Sequence, residues 1–396
     1  MSHWVTLVMR CRRGRLASVL IVASAACGTT ELESDREPFR PSASVEGKWT
    51  REAIGAGTNL LSVAGLEGPG ATNVFVGGAD GSIFRLDGNR WTQTEFASSA
   101  APSTRARAAI TGLWASDAAR VFAVGGGDQG FVLRFDGARW QIHESIPRMG
   151  VTTVWGSNRV LYVGGRSFVR ANAVDDLSIE SGSRRSVDLF GIGLEIRAGW
   201  TTRNADAARE TWLVGPSDVG TGATKVLHRH DDRSEGFVET NLQYLLGYFP
   251  SEEAGREIAG ATFTTIWGRD ANNVWVAGDR GIARWSGRLG AHWRAELWSS
   301  GSPAPGERER EAWPNIRALY GDSHETVYAV GKKGRILRRD SSVESATVPE
   351  QPTKWKEIPR LTNEDLNAVW VSARGDVFAV GNRGVVVRYM APDQEL

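Results

Sequence analysis

One short phrase returns seven times along the chain, and no other feature narrows the possible folds so far. Two complete copies read ITGLWASDAARVFAVGGGDQGFVLRFDGARW at 110–140 and FTTIWGRDANNVWVAGDRGIARWSGRLGAHW at 263–293. Each copy holds three apolar runs rich in Val, Ile and aromatics, separated by Gly and Asp. Short runs of this kind read as strands buried on both faces, and a tandem array of such units means stacked β-sheets.

The first strand of each unit ends in an aromatic and usually Gly: Trp114, Trp155-Gly156, Phe190-Gly191, Trp267-Gly268, Tyr320-Gly321 and Trp370, with Ala64-Gly65 in the first unit. The second strand closes on Gly, at 78, 125, 165, 215, 278, 331 and 381. The third carries Arg near its end, as Arg85, Arg134, Arg170, Arg284, Arg338 and Arg388, with His228 or Arg229 in the fourth unit. An outer strand is marked by Asp87-Gly88 with Trp91 and by Asp136-Gly137 with Trp140, then by Trp293 and Trp355. The closing Gly residues lie 40 to 63 apart, the spacing of four-stranded propeller blades. The last unit stops at Val387-Arg388-Tyr389 without a fourth strand, while an orphan outer-strand signature, EGKWTREAI around Trp49, precedes the first. The expected fold is therefore all-β, a seven-bladed β-propeller over 47–390 closed by an N-terminal outer strand, with a C-terminal tail at 391–396.

The N-terminus reads as an export signal over 1–26. Arg10, Arg12, Arg13 and Arg15 form a basic region, and Leu16 to Ala26 a short apolar run. Eleven residues are too few to remain as a bilayer-spanning anchor. Ser24, Ala25 and Ala26 before Cys27 resemble the lipobox of bacterial lipoproteins, with Ser24 in place of the usual Leu. Cys11 lies inside the signal, so Cys27 is the single thiol of the mature chain and the expected lipidation site. Residues 28–46 are polar and contain Pro, as a flexible tether would. The expected address is a bacterial envelope membrane, the outer membrane or cell surface, reached through the lipid anchor; without the lipid the chain is periplasmic or secreted.

The repeat resembles bacterial secreted and lipoprotein propellers carrying VWG…DVWAVG…G.I…DG..W, and is similar, more distantly, to the Asp-box (BNR) and photosystem assembly-factor propellers. The likeness implies architecture rather than activity, because propellers of one design serve as enzymes, adhesins and scaffolds. Asp87 and Asp136 keep the Asp, Gly and Trp of an Asp box but lack its Ser and Thr.

Function is thus weighed between two classes. The first is a non-enzymatic binding or scaffold lipoprotein whose partner is an envelope protein or a glycan. The alternative is a carbohydrate-active hydrolase or lyase, supported by the partial Asp box. The chain has no His-Glu-x-x-His, Gly-x-Ser-x-Gly, Gly-Lys-Ser/Thr loop or Cys-x-x-Cys, and no catalytic residue, metal or cofactor is expected. A net charge of +1 supplies no global field for nucleic acid, and a monomer is expected. The Arg column reads as structural, each guanidinium pairing with the Asp that follows or with turn carbonyls. His228 and His230 share a strand face, but no other His cluster exists to complete a metal site. The connectors 92–109, 238–262 and 298–314 break the symmetry and emerge on one face. Their aromatics Tyr244, Tyr248, Phe249, Trp298 and Trp313 are the candidate partner-binding residues; the competing reading has those rings covering the propeller edge.

Overall fold

Seven β-rich runs share one pattern, and the pattern dictates how each folds. In the second strand of every unit both faces are covered, as in Val74-Phe75-Val76 and Val274-Trp275-Val276, all buried. Such a strand must lie inside a sheet with further sheets on either side. The structure, a computed structural model, describes residues 47–66, 73–97, 108–157, 160–173, 185–188, 194–203, 209–217, 224–230, 237–239, 260–286, 292–298, 315–322, 326–339 and 355–391. All belong to the second of two units, Met1–Val45 and Glu46–Leu396. The signal sequence, Cys27 and the tether lie outside the described residues.

The described strands form seven antiparallel blades of four. Blade 1 is Leu60–Leu66, Asn73–Gly78, Ile83–Asp87 and Arg90–Gln93, running outward in chain order. Blades 2 and 3 are continuous, because Trp140–Ser157 is at once the outer strand of one and the innermost strand of the other. Blade 4 begins at Ala198–Arg203, blade 5 at Phe263–Asp270, blade 6 at Ile316–Gly321 and blade 7 at Leu366–Val371. Blade 7 takes its outer strand, Lys48–Ala53, from the start of the chain, pairing Trp49 with Tyr389. Each innermost strand touches that of the next blade, and blade 7 touches blade 1, so the ring closes as the orphan Trp49 signature requires.

Within a blade the motif residues make one cross-strand row. In blade 5, Trp267 pairs with Trp275 and Trp275 with Arg284, whose guanidinium lies 5.1 Å from the Trp275 ring centre. Blades 1 and 7 repeat the stack with Arg85 over Phe75 and Arg388 over Phe378. In blades 1 and 5 the column Arg is held inside its own blade, Arg85 donating to Asn73 Oδ1 at 2.7 Å and Arg284 to Asn273, while Arg388 of blade 7 donates to Asn89 of blade 1 at 3.0 Å. In those two blades the aromatic row sets the guanidinium beside the first residue of the second strand.

Between blades the innermost aromatic packs onto a glycine of the next blade. A Cβ on Gly156, Gly199, Gly268, Gly321 or Gly65 would lie under 3.0 Å from the indole of Trp114, Trp155, Trp200, Trp267 or Trp370 respectively. The two remaining joints lack Trp at this place, having Ala64 and Tyr320, and the next blades carry Ala115 and Val371 instead of Gly.

Blade 4 departs from the sequence expectation. Trp200, not Phe190, occupies the aromatic place and pairs with Trp212. Here Gly199 precedes the aromatic, so the usual order is reversed while the contact survives. Trp155 packs on Gly199 and donates its indole N–H to Thr201 Oγ1 at 3.0 Å. Phe190 and Gly191 lie outside the described residues. His228, rather than Arg229, fills the place of the column Arg, stacked on Trp212 at 3.8 Å between ring centres.

Candidate functional site: the channel mouth

The closing Gly of each second strand has a physical cause that leads to the site. In blades 2 to 7 a Cβ there would lie within 3.0 Å of a backbone carbonyl just ahead of the innermost strand, as with Gly125 against Ala109 and Gly331 against Asn315. That close approach accompanies a β-bulge. Ile110 pairs with Gly125 but Gly112 with Val124, leaving Thr111 as the extra residue. The same shift isolates Leu61, Thr152, Thr264, Arg317 and Asn367 in blades 1, 3, 5, 6 and 7. In blade 4 the Leu194–Ser217 bridge and the Ala198–Val214 pair again leave one extra residue, with Arg197 at the equivalent place.

A bulge re-aims a side chain. Innermost strands line the channel of a propeller, so these positions ring its mouth. Thr111 and Arg197 are exposed and the other five half-buried, whereas residues such as Leu60, Ile110, Phe263 and Leu366 beside them are buried. The ring reads Leu, Thr, Thr, Arg, Thr, Arg, Asn from blade 1 to blade 7, neutral on one side and cationic on the other.

Both guanidiniums are oriented by carboxylates. Arg197 lies 3.2 Å from Glu195, and Arg317 donates to Asp365 at 2.7 Å and to Asn367. Asn367 donates in turn to the Leu60 carbonyl at 2.8 Å, and Thr152 to the Ile196 carbonyl, so the ring is tied from blade to blade. Blade 6 brings two more cations to the same end on the turn holding Lys332 and Lys333.

Lys333 and its counterpart Arg383 in blade 7 sit in the left-handed region, at φ 55° and 54°. That conformation turns the Lys333 amide to Asp365 Oδ1 at 2.9 Å and the Arg383 amide to Asn59 Oδ1 at 3.1 Å. Glycine would adopt it without strain, so two long basic side chains are kept here at a conformational cost. Blade 1, next to blade 7, presents Asp80 at the same end. Burial opposes its ionisation, but the hydroxyl and amide of Ser82 outweigh that and hold its carboxyl below the ordinary value.

Of the candidates read from sequence, Tyr244, Tyr248, Phe249 and Trp313 lie outside the described residues. Trp298 ends the outer strand His292–Trp298, paired with Gly281 at this same end of blade 5. The connector face and the mouth therefore coincide, since outer strands lead into innermost strands there. His228 is taken up by Trp212 and by Glu210, 3.1 Å away. Among the described residues no group of three His, Cys, Asp or Glu side chains could hold a metal ion.

The mouth residues escaped the sequence reading although a signal existed. In six units of seven it is a polar residue three places before the aromatic of the innermost strand, and in the first it is Leu61, three before Ala64.

No family model and no curated protein matches the chain. Solved structures do. YCF48 from Cyanidioschyzon merolae superposes with TM-score 0.56 at 11% identity, over 86% of this chain and 98% of that one, and YCF48 bound to D1 peptide gives 0.57 at 11%, over 87% and 97%. The extracellular domain of the putative one-component system BT4673 from B. thetaiotaomicron gives 0.57 at 13%, over 87% of this chain but 40% of that one. Streptogramin B lyase gives 0.56 at 11%, over 89% and 100%. The protein shares its seven-bladed propeller with a peptide-bound protein and with a lyase, and likeness at this identity concerns the fold alone.

Proposed function

We propose that the protein is a non-enzymatic binding propeller of the bacterial envelope, tethered through Cys27, which holds an envelope partner at the channel mouth. The observation that carries this reading is the bulge ring. Every blade gives up ladder regularity to aim one side chain into the mouth, and those residues vary around the ring among Leu, Thr, Arg and Asn while the rest of the motif repeats. Binding selectivity needs such departures from symmetry. The carboxylates bordering the ring are engaged: Glu195 and Asp365 with the mouth arginines, Asp279 with the Thr262 amide, Asp80 with Ser82. Such an arrangement suits holding a ligand better than moving its protons. YCF48, of the same fold, has been solved with a peptide bound, which supports a binding role.

The test is site-specific photo-crosslinking in envelopes of cells making the full chain. A benzophenone side chain at Thr111, in the mouth, is expected to trap one discrete partner, while the same group at Ala138, in an exposed turn between the third and outer strands of blade 2, traps none. Equal trapping from both, or trapping from Ala138 alone, contradicts the proposal. Turnover of an envelope polysaccharide by the purified protein would establish the carbohydrate-active alternative instead.

A further inference from the structure

The turns at the mouth end repeat one backbone frame with different charges. In blades 1, 6 and 7 the amide after the closing Gly donates to the carbonyl just ahead of the innermost strand: Ala79 to Asn59, Lys332 to Asn315 and Asn382 to Asp365. The residue that follows is Asp80 in blade 1, Lys333 in blade 6 and Arg383 in blade 7. One place in the frame thus holds an anion in one blade and cations in two others. Lys333 and Arg383 hold it in the left-handed region, where glycine would sit without strain, as Gly126 and Gly127 do in the turn of blade 2.

The cations form an arc. Blade 3 presents Arg166, blade 4 Arg197, blade 5 Arg280, blade 6 Lys332 and blade 7 Arg383, all exposed, with Arg317 of the bulge ring among them. The carboxylates of the arc are engaged: Glu195 lies 3.2 Å from Arg197, Asp365 2.7 Å from Arg317 and Glu364 3.2 Å from Arg383, while Asp279 accepts from the Thr262 amide at 2.7 Å. Arg166 and Lys332 have no carboxylate partner among the described residues. The whole chain carries a net charge of only +1, so the excess is local to this end. Its cations come one or two to a blade, most with a carboxylate beside them. A densely charged polyphosphate or sulfated glycan would press its anions against Glu195, Asp279, Glu364 and Asp365. An extended peptide avoids this, because it sets alternate side chains on one side about 7 Å apart along a neutral backbone. Guanidiniums take such carboxylates through two parallel N–H bonds, and Thr264, between Arg197 and Arg317 in the ring, offers a hydroxyl to the amides.

From this we infer that the mouth takes an extended, acidic segment of a partner protein, whose Asp or Glu carboxylates meet the arc from blade 3 to blade 7. The inference rests on the mouth being the binding face, as proposed above, and adds the chemical class of what is held there. Lys333 and Arg383 keep their basic side chains in a conformation suited to glycine because the segment is bound through them.

The probes are a short fluorescent peptide alternating Glu and Ala, its neutral twin alternating Gln and Ala, and heparin as a polysulfate. Binding to the detergent-solubilised full chain is read by fluorescence anisotropy. The Glu peptide should bind with a Kd below about 1 mM, about tenfold or more tighter than its twin, and lose about tenfold between about 0.05 and 0.5 M salt. Lys333→Gly combined with Arg383→Gly should weaken it about tenfold while the melting temperature holds or rises, since glycine relieves the backbone. Arg90→Glu and Arg139→Glu, exposed in turns at the far end, should leave the affinity unchanged. Equal binding of the two peptides overturns the inference, as does a loss at the far end as large as that of the glycine pair. Binding of heparin without binding of the Glu peptide also overturns it and assigns the arc to a polyanion. The Thr111 crosslinker separates the two levels of failure. Trapping nothing contradicts binding at the mouth itself, whereas trapping that the glycine pair leaves unchanged keeps the mouth and removes the acidic segment.

Discussion

Thr111 and Trp114 stand three residues apart on one strand, yet they belong to two rings governed by different rules. The aromatic ring is written by its neighbours: where a blade carries Trp, the next supplies a glycine beneath it, and where it carries Ala64 or Tyr320, the next supplies Ala115 or Val371. Identity there is dictated by close packing, in which added volume has nowhere to go. The mouth ring has no such reciprocity. Its bulge is conserved in backbone from blade to blade, while its side chains run from Leu61 through Thr264 to Arg317. Repetition in one ring and variation in the other separate what holds the propeller together from what it presents.

The largest effect should come from undoing the closure of the joints altogether. Removing 48–53 strips the outer strand from blade 7, uncovers Tyr389 and removes the ring contacts of Trp49 with Tyr328 and Tyr389. Thermal unfolding followed by circular dichroism should fall by about 10 °C or more, or lose cooperativity. An unchanged melt would mean that the ring does not depend on its clasp.

Next in size is the half-buried carboxylate of Glu296 at the joint between blades 5 and 6. Glu296→Gln leaves Arg339, 2% exposed, without its counter-charge and weakens the acceptor of two indoles. Denaturant unfolding should register a loss of about 3–5 kcal/mol. A loss below about 1 kcal/mol, the size of a surface pair, would place the cluster in effective contact with water.

The covariation itself can be tested by a cycle. Ala64→Trp alone should destabilise by about 1–3 kcal/mol, since Ala115 occupies the space the indole needs. Adding Ala115→Gly should recover part of that, with a coupling energy of about 0.5–3 kcal/mol. Additive losses would show that the pairing of Trp with Gly across joints is coincidental.

The smallest effect concerns a turn at the end of the blades away from the mouth. Burial opposes the ionisation of Asp270, but hydrogen bonds from Arg269, Asn273 and the Asn272 amide outweigh it and hold its carboxyl below the ordinary value. Its folded value is depressed, so its stabilising contribution is present above the unfolded value and is lost as pH falls through the folded one. Asp270→Asn should therefore flatten the melting profile below about pH 4 by 1 kcal/mol or less, the group being half exposed. A steeper acid limb in the variant would reverse the assigned sign.

Sequence reasoning reached the fold because the repeat states it locally. Val, Ile and aromatic runs can form only strands buried on both faces, and the orphan Trp49 signature closes the ring once the last blade is seen to lack a strand. It misplaced the start of blade 4 because Gly199 precedes Trp200, and the order of aromatic and glycine carried the alignment. It missed the mouth for a different reason. A bulge is a property of two strands, and nothing in ITGLW alone marks Thr111 as the residue without a partner. The closing Gly125 on the neighbouring strand held that information, in the form of a carbonyl that a side chain would meet.

The separation of the two rings can be put to one measurement. The Thr111 crosslinker is combined with Arg197→Ala and Arg317→Ala, which remove the two cations of the bulge ring and leave the packing of Trp on Gly between blades untouched. Their ion pairs are a third or more exposed on the arginine side and contribute little to folding. Melting should shift by no more than about 2 °C while the crosslinked species disappears. A variant that melts far lower yet still traps the same partner would show that the mouth is structural and that the partner is held elsewhere.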